Sequence, residues 1–306
     1  MKKIPAPLVG SVPPIVTPMH SRDVLDVEGL EKLIEHLIGG GVAAIFVLGS
    51  TGEGPSLSYR LRREMLERTC KLVKGRVPVL VGISDSAFVE AVGIAECAEA
   101  AGADAVVSAG PFYYPLAQAD LQRYVEQLLA ELALPLMLYN MPALTKVTFG
   151  LETVKRAIDS EKIIGLKDSS GDMGYLQQIL RLSRQRPGWT VLVGPETLTA
   201  EAMLMGAHGG VSGGAMLNPR LYTELFAAAW AKDLPRVLQL HEQVSELVTR
   251  IYAAGFYSSA INRALKCALK LMGICDDFLC EPFARCTDQE RERIKQDLVE
   301  LKLLKK

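Results

Sequence analysis

A chain of 306 residues with a formal net charge of −1, both signs spread along its length, has neither a basic stripe for nucleic acid nor an acidic tail. Hydrophobic residues make up 49%, enough for a large core or a sizeable subunit interface. Yet no apolar stretch reaches about 18 uninterrupted residues, so neither membrane spanning nor secretion is expected.

The expected partners are therefore small molecules and further copies of the chain. A reducing, cytoplasmic setting fits the cysteines. Cys70 and Cys97 fall in helical patterns, and Cys267, Cys275, Cys280 and Cys286 lack a CxxC pair or interleaved histidines. No pair of the four histidines has metal-ligand spacing, and neither a metal nor a cofactor is expected.

Along the chain, short Val/Ile/Leu-rich runs alternate with amphipathic stretches. Strands are predicted at 12–16, 44–48, 77–83, 104–108, 134–139, 163–167, 190–193 and 210–212. Helices are predicted between them at 27–38, 57–73, 89–100, 119–132, 151–158, 175–183 and 199–204. An open doubly wound sheet would favour a GxGxxG turn after the first strand, where this chain has Thr17-Pro18-Met19. The pattern predicts a (β/α)8 TIM barrel over 1–232. Further helices at 219–230, 234–253, 259–271 and 288–303 supply the last barrel helix and a C-terminal helical extension over 233–306, packed on the barrel or a neighbouring subunit.

Barrel enzymes place their chemistry at the C-terminal ends of the strands. After the second strand, Gly49-Ser50-Thr51-Gly52-Glu53-Gly54 permits a tight turn whose N–H groups suit an anion. Glu53 is expected to hold that turn by accepting backbone N–H bonds, and the charged run 60–63 to be a solvated helix face. After the fourth strand, Gly110-Pro111-Phe112-Tyr113-Tyr114-Pro115 is a stiff loop offering phenols, either to a site or to aromatic packing. The fifth strand ends at Tyr139, a proton donor and acceptor facing the same cavity as the end of its neighbour.

That neighbour is Ile163-Ile164-Gly165-Leu166-Lys167, closed by Asp168-Ser169-Ser170-Gly171. An amine at the strand's end loses hydration, which favours the neutral nucleophile of Schiff-base chemistry. Asp168 should point away, because strand neighbours alternate faces. His208, before the eighth strand, belongs on the face opposite the site. A hydroxyl pair, two phenols and a lysine at one rim suit a keto-acid substrate: a desolvated amine, a proton shuttle and a carboxylate cradle.

Gly49-Ser50-Thr51-Gly52-Glu53, Tyr139-Asn140-x-Pro142 and Gly165-x-Lys167-Asp168-Ser169 resemble the signatures of the dihydrodipicolinate synthase/N-acetylneuraminate lyase family, and the likeness spans essentially the whole chain. It implies a pyruvate Schiff base on Lys167 in a tetramer of tight dimers. Tyr139 would relay protons. Ser50 and Thr51 would hold the keto-acid carboxylate, Thr51 also joining a hydroxyl relay. Tyr113 would be lent across the tight-dimer interface. Gly210 and Val211 would shape the pyruvate pocket.

Leu144 stands where the synthase branch carries a carboxylate-binding arginine, and a leucine cannot replace a bidentate guanidinium. The lyase branch's paired acids appear only as Glu196 followed by Thr197. The preferred expectation is an aldolase or lyase that cleaves a 2-keto-3-deoxy sugar acid or another 4-hydroxy-2-oxo acid to pyruvate and an aldehyde, with Glu196 a ligand for aldehyde-side hydroxyls. The alternatives are dihydrodipicolinate synthase, which condenses pyruvate with aspartate semialdehyde, a sugar-acid dehydratase, and a non-catalytic keto-acid-binding barrel.

Overall fold

Pro13 and Pro14 carry no backbone N–H, so the first strand's regular pairing ends ahead of them. In the computed structural model, which describes residues 4–253 and 258–305, regular pairing begins before residue 12, as β1 (Gly10–Ser11). An antiparallel ribbon follows, β2 (Met19–Ser21) and β3 (Val24–Leu25), too short to leave a periodic signal.

Helix and strand then alternate: α1 (Val27–Gly39), β4 (Ile45–Val47), α2 (Tyr59–Val73), β5 (Val79–Gly82), α3 (Phe88–Ala100) and β6 (Ala105–Ser108). The chain continues through α4 (Gln118–Glu131), β7 (Leu136–Asn140), a short α5 (Pro142–Thr145), α6 (Leu151–Asp159), β8 (Ile163–Asp168) and α7 (Met173–Ser183). It then forms β9 (Thr190–Val193), α8 (Thr199–Leu204), β10 (Gly209–Gly210) and α9 (Pro219–Trp230).

Apart from the ribbon, the strands make one eight-stranded parallel sheet in the order β1-β10-β9-β8-β7-β6-β5-β4. The two ends of the sheet meet. Ala43 donates its N–H to the Ser11 carbonyl (2.8 Å), Phe46 to Pro13 (3.0 Å) and Ile15 to Phe46 (2.9 Å), which closes a (β/α)8 barrel.

Two apolar layers explain why the strands read as continuous Val/Ile/Leu runs. Phe46, Leu80, Val107, Met137 and Leu192 fill the barrel, while Val47, Val81, Val106, Leu138 and Val191 face the helices. Beyond α9 come α10 (Leu234–Tyr252), α11 (Ser258–Leu271) and α12 (Asp288–Glu300). Asp233 caps α10, which buries Val237, Leu240, Val244, Leu247 and Ile251 at helical spacing. At about 1.5–3 kcal/mol for each buried side chain, that stripe holds α10 against α8 and α9. α11 packs on α10 and on the turn Gly213–Met216 beyond β10, at the C-terminal rim. Among the described residues no helix is long and apolar enough to cross a membrane.

Candidate active site

Strict alternation from Ile163, which faces the helices, would turn residue 167 outward as well. A bulge prevents this. Leu136 pairs with Ile163 but Met137 with Gly165, so β8 gains a residue against β7. Beyond it Leu166 faces the helices and Lys167 the barrel interior. Gly165 is required, because a Cβ there would collide with the carbonyl oxygen of Thr190.

Lys167 is only 5% exposed and lines a cavity of about 590 Å³ at the C-terminal ends of the strands. Tyr139 is its register partner on β7. Lys167 Nζ lies 3.8 Å from the centre of the Tyr139 ring and 5.2 Å from that of Phe46, and joins no ion pair among the described residues. Burial pushes the Tyr139 phenol up, but the Lys167 charge and hydrogen bonds with Ser50, Ser169 and Lys167 outweigh it, leaving the group below the ordinary phenol value. Ser169, part of the family signature, was assigned no role, although alternation places it on the face of Lys167. Asp168 turns away from the cavity, accepting from Asn140 Nδ2 (2.8 Å) and Ser170 Oγ (3.0 Å).

The loop after β4 begins with Leu48 at φ 60°, a left-handed conformation that costs a leucine about 1–3 kcal/mol. Gly82 and Gly54 back directly onto the Leu48 carbonyl, where any Cβ would collide. The kink brings Ser50 and Thr51 to the cavity wall. Ser50 is one of the groups that hold the Tyr139 phenol low.

Four distant groups fix this loop. Thr17 Oγ1 donates to the Gly52 carbonyl (2.7 Å), and Asn262 Nδ2 on α11 donates to the Ser50 carbonyl (3.1 Å). Glu53 accepts the Cys280 N–H (2.8 Å) and pairs with Lys266 Nζ at 2.5 Å. Lys266 left no trace in the sequence, since it stands among apolar residues in Ala264-Leu265-Lys266-Cys267-Ala268-Leu269 and its partner Glu53 is more than 200 residues away.

Three expectations need correction. Arg62 is not solvated: its guanidinium pairs with Asp85 (2.7 Å) and donates to the Leu57 and Pro55 carbonyls, both partners being nearly sealed from water. Only its neighbours Arg60 and Arg63 face solvent. Glu196 lines the cavity but has no lone pair waiting for substrate hydroxyls. Tyr222 and Tyr252 (2.6 Å) donate to its two oxygens, and so do the N–H groups of Gly213 (3.0 Å) and Gly214 (3.2 Å). Burial still pushes its carboxyl up. Gly210 is not on the wall. Val211 is, and Gly210 sits a step deeper with its carbonyl accepting the Val12 N–H (2.9 Å).

Leu144 lies on the cavity wall, 41% exposed. Tyr113 is 67% exposed and stacks edge-on with Tyr114 at 4.9 Å, outside its own cavity, whereas Phe112 lines it. His208, preceding β10, lies at the end opposite the cavity and accepts the Val191 N–H at Nδ1 (2.9 Å). Among the described residues Lys167 is the one cationic side chain on the cavity wall.

Residues 7–301 match the model of the Dihydrodipicolinate synthetase family. A curated relative from Escherichia coli, "Probable 2-dehydro-3-deoxy-D-pentonate aldolase", is 29% identical over 288 residues, which are 93% of this chain and 94% of that one. The solved structure of dihydrodipicolinate synthase from Bacteroides thetaiotaomicron is 49% identical with a TM-score of 0.94, covering 96% of this chain and 99% of that one. YagE, an Escherichia coli prophage protein crystallised with pyruvate, is 29% identical with a TM-score of 0.90, covering 97% and 99%. A family match over nearly the whole length, on a closed barrel with a lysine and a tyrosine meeting at one rim, leaves a single conclusion: the chain belongs to the dihydrodipicolinate synthetase family.

Proposed function

We propose that the protein is a lysine-dependent carbon–carbon lyase that reversibly cleaves a 4-hydroxy-2-oxo acid, the class that includes 2-keto-3-deoxy sugar acids, to pyruvate and an aldehyde. One observation carries this reading: a buried amine 3.8 Å from the ring centre of a tyrosine whose phenol is held below its usual value. Binding a keto acid needs no such pair. Bond cleavage needs both members.

In the cleavage direction the neutral Lys167 amine adds to C2 of the oxo acid, and loss of water leaves a protonated Schiff base. The Tyr139 phenolate takes the C4 hydroxyl proton as the C3–C4 bond breaks. The bonding electrons move onto the iminium, giving an enamine, and the aldehyde departs. C3 then takes a proton and water hydrolyses the Schiff base, freeing pyruvate and the amine. The Ser50-Thr51 segment supplies hydroxyls and N–H groups for the substrate carboxylate. Tyr113, turned out of its own cavity, completes the hydroxyl relay of a second copy in a dimer-based assembly.

Borohydride reduction in the presence of pyruvate tests the reading. The wild-type chain gains the mass of a reduced pyruvate adduct and Lys167→Ala gains none; no gain in the wild type sinks the proposal. A second reading, condensation of pyruvate with aspartate semialdehyde, draws on the synthase name of the 49% identical Bacteroides protein. Leu144 and the lack of a second cation among the described wall residues speak against it. Robust turnover of that aldehyde would reverse the preference.

A further inference from the structure

We infer that the aldehyde half of the substrate is uncharged and predominantly apolar, a branched aliphatic or aromatic aldehyde rather than a polyhydroxylated or carboxylate-bearing one. This rests on the lyase reading above and narrows it.

The cavity is larger than pyruvate requires. Its 590 Å³ lies within the range of roughly 300–1,000 Å³ that holds drug-sized ligands, so most of it surrounds the part of the substrate that leaves as aldehyde. Its floor, around Lys167 and Tyr139, is made by the buried Phe46, Leu48 and Val211. The walls above carry Phe112, Met141, Leu144, Val248, Ile261 and Phe283, each partly exposed to the open space. These six come from five separate segments: the loops after β6 and β7, α10, α11, and the stretch before α12.

The charges point the same way. Among the described residues two carboxylates line the cavity, and both are satisfied within the protein. Glu53 is held by Lys266 and the Cys280 N–H, and Glu196 by two tyrosine hydroxyls and two backbone N–H groups. Lys167 is committed to the ketone. Of the other polar groups, the Thr145 hydroxyl donates to the Met141 and Val147 carbonyls, and Ser84 Oγ accepts the Ala109 N–H. Ser50, Thr51, Tyr139 and Ser169 belong to the keto-acid end around Lys167, and Tyr252 donates to Glu196, so among the described residues Ser56, Thr197 and Asn262 remain on the wall, all neutral.

A carboxylate or ammonium on the aldehyde would thus be desolvated without a counter-charge, and a row of hydroxyls would exchange water for hydrocarbon. An apolar group gains by the same transfer. In the condensing direction C3 of the enamine bonds to the aldehyde carbon and the aldehyde oxygen takes the Tyr139 proton. That step asks nothing polar of the rest of the aldehyde.

The test supplies the intact protein with pyruvate and, in turn, benzaldehyde, 2-methylpropanal, glyceraldehyde and aspartate semialdehyde, and follows 4-hydroxy-2-oxo acid formation by mass spectrometry. The kcat/KM for benzaldehyde or 2-methylpropanal is expected to exceed that for glyceraldehyde by about tenfold or more. Leu144→Asn and Ile261→Asn are each expected to shrink that ratio by about tenfold; a ratio unchanged in both overturns the inference. Glyceraldehyde or aspartate semialdehyde matching the apolar aldehydes, with pyruvate still trapped on Lys167, overturns the inference alone. Failure to trap pyruvate overturns the lyase reading and this inference together.

Discussion

Lys266, midway along α11, closes to 2.5 Å on Glu53 in the loop after β4, with neither side chain exposed to solvent. The ammonium also donates to the Phe278 carbonyl at 2.7 Å, so both ions have further partners. Removing one member strands the other without water. Lys266→Met is expected to lower the unfolding free energy by about 3–5 kcal/mol in a denaturant titration, and Glu53→Leu/Lys266→Met to recover much of it. A double variant as damaged as the single one would show that the ion pair is not the cause.

Gly165 determines which way Lys167 faces. In Gly165→Ala the new methyl group meets the Thr190 carbonyl, and β8 must shift where the bulge redirects the lysine. Misplacement by about 1 Å costs on the order of 10²-fold in rate. Turnover and borohydride trapping should fall together by that order while far-ultraviolet dichroism stays that of the wild type. A variant that traps pyruvate at the normal rate would show that the bulge is dispensable.

The low position of the Tyr139 phenol depends on the Lys167 charge. A cation favours phenolate and burial favours phenol, so in Lys167→Met burial is opposed only by Ser50 and Ser169 and the titration moves up. The phenolate absorbance of Lys167→Met, minus that of Lys167→Met/Tyr139→Phe, isolates this group. If it still titrates below an ordinary tyrosine, the assigned cause is wrong. Tyr139→Phe in the wild-type background should lower kcat by about 10²- to 10⁴-fold.

His208 gives stability a pH dependence at the opposite end of the barrel. Burial holds its imidazole below 6.5, and Nδ1 must be unprotonated to accept the Val191 N–H. As the pH falls below 6.5 the unfolded chain takes the proton first, so the stability present above that value declines toward the folded-state pKa. The melting temperature of the wild type should therefore drop as pH is lowered through this window, and less steeply in His208→Asn. Burial holds His36 low as well, so part of the slope remains. Identical slopes for the two proteins would clear His208 of the effect.

If Tyr113 serves the cavity of a second copy, Tyr113→Phe and Lys167→Met damage different sites of one dimer. Refolding the two variants together should regenerate activity that neither has alone, because a Lys167-bearing cavity then receives an intact Tyr113. Activity no greater than the sum of the separate variants would count against sharing.

The strands were legible because burial on both faces leaves an unbroken apolar run; 190–193 has the same limits in sequence and structure. The placement of Lys167 and Tyr139 on one cavity was legible because both stand at the ends of neighbouring strands. The bulge was not, since the need for Gly165 arises from Thr190 on the adjacent strand. Arg62 looked solvated because its partner Asp85 lies in the next βα loop, 23 residues on. Glu196 looked available because Tyr222 and Tyr252 approach it from 26 and 56 residues away. In each case local pattern was read correctly and a distant partner changed its meaning.

Ser50 takes its restraint from Asn262, and Glu53 takes its own from Lys266. A ribosome delivers the chain N-terminus first, so every staple of the barrel is outside the exit tunnel before either of these residues emerges. The nascent cylinder can shut around its interior while the loop after β4 still lacks two of its restraints. Those restraints arrive late in translation, and a chain terminated before α11 never gains them.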